Sequence, residues 1–408
     1  MSGPSSPIER PQFTTTIAVV LFFSVAIMVV GQSSLFTILP PLGRKIGLSD
    51  AQVGLIMSIH GAFMLFAGPW WGAFSETAGR RRVIFIGAVL YTASTLIFGL
   101  IIDAGLRLAI TSNAVLWLLI GCRSIFAVGA GAVTTASMAL AADLSARENR
   151  LKAMSLLATA VSTGAIAGPA VSALFAGFGL AAPFYIIAAC GFIALCASQL
   201  LLPAIRPQMH VASISFRDLL RGRVLLIAAG SLCFMWGNYG IYAIVGFHIQ
   251  DRFLLEPTAG ARLMGLALMG ASLASIFTQS FVVRRLKART AVFALIGIPI
   301  TIVSFAGVWS ADVPWLFVAA ITLNGFGQSF VNPAISTALS LSVGASGQGR
   351  LAGLSTSTQA CAFLFGPASS AAMYGYWHAL PFLFGTALIS VSLALLLLVR
   401  QPAPIDET

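Results

Sequence analysis

Gly72-Ala-Phe-Ser-Glu-Thr-Ala-Gly-Arg-Arg-Arg-Val83 lies between two long apolar stretches and packs three adjacent arginines into the short gap between them. A gap of this length holds a tight turn, and Gly79 supplies the backbone freedom for it. Each flanking run is long enough to cross a bilayer. The arginines then mark a side, because basic residues accumulate in cytoplasmic loops.

The same alternation of apolar runs and basic turns continues in both directions. The 408 residues are 58% hydrophobic and 9% charged, with a mean hydropathy of +0.94. A soluble domain carries about 25% charged residues. A chain this poor in charge cannot cover its own surface in water, so its partner is the lipid bilayer. The net charge of +11 then reflects basic loops rather than affinity for nucleic acid. Cys122, Cys190, Cys196, Cys233 and Cys361 all fall in apolar stretches without paired spacing. They read as small core hydrophobes, and no metal site is expected. The first dozen residues lack the basic start and cleavage pattern of a signal peptide, so the first apolar run is expected to remain as a span.

Charges, prolines and glycines punctuate twelve expected helical spans: 14–39, 52–74, 83–102, 113–141, 153–176, 182–203, 223–247, 260–282, 289–309, 313–341, 351–375 and 380–399. Helix is the form in which a single segment satisfies its own backbone in lipid. The side that holds Arg80, Arg81 and Arg82 also collects Arg150, Lys152, Arg221, Arg284, Lys287, Arg350 and others. It has more than three times the Lys and Arg of the other side, which has Arg44, Lys45, Arg107, Arg252 and Arg262. The richer side is expected to be cytoplasmic, with both termini inside a bacterial-type inner membrane.

The longest polar connection, 204–222, divides the chain in the middle. The expected organisation is a tail 1–13, a six-helix bundle 14–203, a central loop 204–222, a second bundle 223–399 and a tail 400–408. The halves echo each other. Span five contains Gly164-Ala-Ile-Ala-Gly168-Pro169, and span eleven contains Ala362-Phe-Leu-Phe-Gly366-Pro367. Duplicated halves are a transporter signature, with the substrate site between them.

These features together resemble the major facilitator superfamily in its twelve-span form, and the resemblance runs over nearly the whole chain. Gly72, Gly79, Arg80 and Arg81 stand where the family's loop motif has Gly, Gly, Arg and a basic residue. Glu76 replaces its usual Asp, and Thr77 its usual Arg. In span four, Arg123, Gly129 and Gly131 resemble the family's intramembrane-arginine motif, with Phe126 in place of its Gln. Gly164, Gly168 and Pro169 resemble the motif of antiporters, above all drug:proton exporters, although Ser172 and Ala173 replace its closing glycines. The resemblance implies an all-α polytopic protein with two pseudo-symmetric six-helix bundles.

Glu76 can bond exposed N–H groups at a helix start, where the dipole favours negative charge. Arg80 can reach Asp143, and Arg150 can join them. This cluster is expected to act as a gate that ties the halves together when the cavity opens to the other side. Arg82 and Arg289 read as topology markers only. Gly164 and Gly168 form a small face for close helix packing, and Pro169 bends the helix.

No acidic residue falls deep in a span. The one permanent charge there is Arg123, which by default marks a cavity; a brace between helices is its alternative. His60 can titrate near neutral pH, or simply pack. Gln32, Trp236, Asn238, Tyr239, Asn324, Gln328, Asn332 and Gln359 are the other expected cavity residues. Asn324, Gln328 and Asn332 recur every four residues on one helical face, and each is equally open to a helix–helix hydrogen bond. A pocket of neutral polar groups with one positive charge suits an amphipathic neutral or anionic molecule. The expected function is export of such a compound, a drug or toxic metabolite, in exchange for protons, by a monomer without cofactor. Asp143, Glu76 and His60 are the proton-carrying candidates. Export of an organic acid or carboxylate siderophore, and uptake of a metabolite, are the alternatives. A catalytic constellation and a nucleotide-binding loop are both missing, which argues against an enzyme.

Overall fold

The computed structural model describes residues 13–145, 150–204, 222–283, 285, 290–342 and 348–399. The expected tails, most of the central loop and most of the Arg284–Arg289 loop lie outside the described residues.

Twelve long helices account for nearly all of them. These are α1 (Thr15–Lys45), α2 (Asp50–Ala78), α3 (Arg80–Leu106), α4 (Ser112–Leu144), α5 (Arg150–Phe175), α6 (Ala182–Leu201), α7 (Arg223–Phe253), α8 (Pro257–Phe277), α9 (Thr290–Ser310), α10 (Pro314–Leu341), α11 (Gln348–Tyr376) and α12 (Leu380–Leu398). Most overrun the expected spans by a turn at one end or both, so Arg44, Asp50, Asp143 and Asp251 sit in terminal turns rather than in loops. α8 ends in a wider π turn, Thr278–Val283. Ten of the twelve are apolar enough to cross a membrane by composition. The other two are more polar: α10 carries Asn324, Gln328 and Asn332, and α11 carries Gln359 among many Gly, Ser and Thr residues.

Local chemistry sets the helix starts. Thr14 accepts from the Ile17 N–H, Thr111 from Ala114, and Ser49 exchanges bonds with Gln52 in a capping box. α6, α8, α10 and α12 begin with a proline in the first turn, where the missing N–H costs nothing. Between α2 and α3 a single residue, Gly79, makes the turn at φ +92°, a conformation that a side chain strains.

Packing repeats between the halves. α5 lies against α1 and α8, and α11 lies against α7 and α2. A Cβ at Gly164 would stand 2.5 Å from the Ala26 carbonyl oxygen, and one at Gly168 would overlap Ser33 Oγ. In the other half a Cβ at Gly366 would stand 3.1 Å from the Gly240 nitrogen. The seams between bundles match as well: a Cβ at Gly265 would meet the Pro169 oxygen at 2.8 Å, and one at Gly54 the Pro367 oxygen at 2.7 Å. Small residues thus let backbones approach where apolar burial gives no preference over lipid.

Candidate functional site: a cavity between the bundles

The bundles meet at the end that carries Arg44. There the Arg44 guanidinium is shared by two carboxylates. It donates to Asp50 on α2 at 2.8 and 2.7 Å and to Asp251 on α7 at 2.5 and 3.0 Å. Tyr374 on α11 donates to the same Asp251 at 2.8 Å, and the Phe247 ring lies 5.0 Å from the guanidinium carbon. Arg44–Asp251 is the one ion pair that joins the two bundles among the described residues. Deeper along the same seam, the Ala368 N–H donates to Ser58 Oγ at 2.8 Å.

On the Gly79 side of this closure lies a cavity of about 460 Å³. Its wall contains Gln32, His60, Tyr239, Gln328, Asn332 and Gln359, six of the ten expected residues. Pro169, inside α5, also faces it. Aromatic rings from both bundles close its deep end: Phe363 packs against His60 at 5.3 Å, Phe36 at 5.5 Å and Tyr239 at 4.9 Å, and Phe36 reaches Tyr242 at 6.4 Å. Met28 and Met64 add adaptable apolar surface. Among the described residues no Asp or Glu contributes to the wall.

The polar wall of the second bundle is pre-arranged. The Tyr242 hydroxyl donates to Asn324 Oδ1 at 2.7 Å, and Gln328 donates to the same oxygen at 2.5 Å and to the Tyr242 oxygen. Asn324 in turn donates to Asn238 at 3.2 Å, and Asn238 to the Phe234 carbonyl at 2.9 Å. Across the cavity Gln359 donates to the Tyr239 hydroxyl at 2.9 Å. Asn324 is therefore the hub, 1% exposed, behind the wall rather than on it. Asn324→Ala is expected to destabilise the purified protein by about 1–3 kcal/mol, because Asn238 and Tyr242 lose partners in a buried network. Gln32→Ala should leave the thermal midpoint alone and weaken ligand binding. Thermal unfolding with and without ligand separates the two.

Four expected cavity residues stand outside the wall. Asn324 donates to Asn238, and Asn238 donates to the Phe234 carbonyl, so both amides are engaged behind the wall. Trp236 bonds Ser369 at 3.0 Å and stacks on Phe365 at 5.2 Å, so it seals α7 against α11; a buried indole N–H needs such a partner. Arg123 is the fourth. It is 3% exposed, and its guanidinium carbon lies 4.6 Å from the Phe126 ring centre. Its Nε and Nη2 have no hydrogen-bond partner among the described residues. It faces a separate pocket of only about 10 Å³, while Phe126, packed on His60 at 5.9 Å, stands towards the cavity.

The expected gate residues assemble at the Gly79 end. Arg80, 8% exposed, pairs with Asp143 at 3.2 Å and also donates to Ser75 Oγ. Arg150 bonds the Ala142 carbonyl at 3.3 Å instead of the Asp143 carboxylate, and Arg81 bonds the Gln199 carbonyl. Glu76 is half-buried and makes no ion pair among the described residues. A Cβ at Gly72 would stand 3.7 Å from Thr135 of α4, an ordinary contact, so packing there does not itself require a glycine. Every partner named here belongs to the first bundle. Among the described residues the cluster braces one bundle internally.

Phe36 and Phe363 were not among the expected site residues. Each lies one helical turn from a residue that was: Phe36 follows Gln32 by four, and Phe363 follows Gln359 by four. The i, i+4 relation was the available signal.

A family model described as Major Facilitator Superfamily matches residues 21–303. Among curated relatives, "Multidrug resistance protein 2" of Bacillus subtilis (strain 168) is 24% identical over 397 residues, 95% of this chain and 96% of that protein. "Tetracycline resistance protein, class D" of Salmonella ordonez is 27% identical over 402 residues, 93% and 95% of the two chains. Among solved structures, a peptide transporter POT in complex with sulfate superposes with a TM-score of 0.72 at 16% identity, over 95% of each chain. The human organic anion transporter MFSD10 (TETRAN) gives 0.67 at 18% identity, over 93% of this chain and 99% of that one. At these identities the structures speak for the fold.

Proposed function

The chain belongs to the Major Facilitator Superfamily, and on that premise we propose that it exports a small amphipathic compound, a drug or toxic metabolite, in exchange for protons by alternating access. The observation that carries this reading is the acid-free, aromatic and amide-lined cavity between the bundles. Its aromatic surface and neutral hydrogen-bonding groups match an amphipathic molecule. The efflux names of the two relatives support export.

Both termini lie in the cytoplasm of an inner-membrane protein, by the charge asymmetry of the loops. The Gly79 end is then internal and this conformer is open to the cytoplasm, the state in which an exporter loads. Proton exchange runs through His60 on the cavity wall, or through Asp143 and Glu76 at the gate. The first bundle's Arg80–Asp143 brace is reorganised when the halves close at that end. One chain holds a complete pathway and acts as a monomer. Absence of carboxylates from the wall favours a second reading, export of an organic acid, over export of organic cations.

Purified protein in proteoliposomes, given matched neutral, anionic and cationic aromatic compounds with and without an imposed pH gradient, tests the proposal. Gradient-driven flux of neutral or anionic members is the expected result. Flux confined to cations, or indifferent to the gradient, would refute it.

A further inference from the structure

Arg123 is a buried cation in a span, with no counter-charge among the described residues. No acidic residue lines its pocket, whose walls include Ser94, Thr95, Cys122 and Phe126. Ser94 and Thr95 both donate to the Tyr91 carbonyl, at 3.0 and 2.6 Å. Among the described residues Nε and Nη2 find no acceptor, and the charge rests on the ring face of Phe126, a contact weaker than a charge-assisted pair. An uncompensated charge at this depth is expensive and is retained where it has a use.

Phe126 is also what separates this charge from the cavity. Its ring touches Arg123 on one side and packs on His60, at 5.9 Å, on the other. Tyr91 lies 6.3 Å away, and a Cβ at Gly31 would come within 3.2 Å of the ring. His60 belongs to the cavity wall; Phe126 and Arg123 do not. The Phe126 ring, packed behind the wall residue His60, therefore stands between the cavity and the guanidinium.

We propose that Arg123 is a concealed subsite for the anionic end of the substrate, and that the Phe126 ring is its shutter. Resting on the efflux reading above, this names the substrate class as amphipathic aromatic anions, such as carboxylates. The ring shields the charge while the cavity is empty. A bound carboxylate replaces the cation–π contact with a charge-assisted pair, which offsets the movement of the ring. A cation gains nothing there.

Binding of biphenyl-4-carboxylate and biphenyl-4-carboxamide to the purified full-length protein, followed by calorimetry, tests this. Wild type should bind the carboxylate about tenfold more tightly than the carboxamide. Arg123→Gln should bring that ratio to one, and Arg123→Lys should keep part of it. Phe126→Ala should raise the ratio further, by removing the shutter, and decides alone if Arg123→Gln does not fold. A ratio of one in both wild type and Phe126→Ala would overturn the proposal, as would a preference that survives Arg123→Gln; Arg123 is then a brace. Gradient-driven export by wild-type proteoliposomes stands apart: absence of flux for both the carboxylate and the carboxamide defeats the efflux reading, whereas the carboxylate ratio defeats only the subsite.

Discussion

Arg44→Ala is expected to shift the resting protein about tenfold towards the conformer open at the Arg44 end, in line with roughly 1.4 kcal/mol of lost closure. The side chain holds two carboxylates at once, and one of them, Asp251, belongs to the other bundle. Lone exposed pairs contribute about 0–1 kcal/mol. A half-buried guanidinium bonded twice to each of two carboxylates, one of which also accepts from Tyr374, contributes more than a lone pair, because the groups order each other. Asp251→Asn should have a smaller effect, since the amide oxygen can still accept from Arg44 and Tyr374 across the seam. Arg252→Ala should have none, because Arg252 pairs with Asp312 inside the second bundle and in the open. Distance distributions between spin labels placed on the two bundles at the Arg44 end measure the shift. An unchanged distribution for Arg44→Ala would remove the closure from the account.

Gly168→Leu should abolish the folded protein or lower its stability by more than about 3 kcal/mol, at or beyond the usual cost of overpacking. Its Cβ alone would overlap Ser33 Oγ and stand 2.7 Å from the Val30 carbonyl oxygen, and backbone cannot yield as a flexible side chain does. The same approach places Ser34 Oγ 3.0 Å from the Gly168 carbonyl, an interhelical bond that would go with it. Gly68→Leu is the comparison, because nothing lies within 4 Å of its Cβ position. Pro169→Ala separates packing from bending: it keeps the α1–α5 contact, so it should spare stability and slow transport. Thermal unfolding in detergent with parallel flux assays decides. A stable Gly168→Leu protein would show that α1 and α5 do not need this approach.

The spans were legible because lipid imposes a length and a composition on each helix, and polar punctuation marks the ends. Gly79 was legible for a different reason: only a residue free at positive φ turns two helices in one step. Depth was readable as well, which is why Arg123 was recognised as the charge inside a span. Its facing was not. A helix apolar on nearly every side carries almost no angular signal, so sequence could not say that Phe126 would stand between Arg123 and the cavity. The same blindness put Trp236, Asn238 and Asn324 on the wall, although Gln328 and Asn332 on the same helix do line it. The Arg44–Asp251 pair was hidden by distance along the chain, 207 residues, and by the overrun of α1 and α7 that brings their last turns together. Glu76 and Arg150 were grouped with Asp143 by a motif, but Arg80 alone pairs with it in this conformer.

Accessibility of the cavity from each face of the membrane is the most direct test of the account. Ser275 lines the cavity on α8, and in a background freed of Cys122, Cys190, Cys196, Cys233 and Cys361 a Ser275→Cys protein carries a single thiol there. In sealed right-side-out and inverted vesicles without substrate, a membrane-impermeant maleimide should label it from the cytoplasmic face, and arginine substitution at Asp50, which repels Arg44, should add labelling from the outer face. Labelling from the outer face alone in the unmodified background, or from neither, would contradict a transport route that runs between the two bundles.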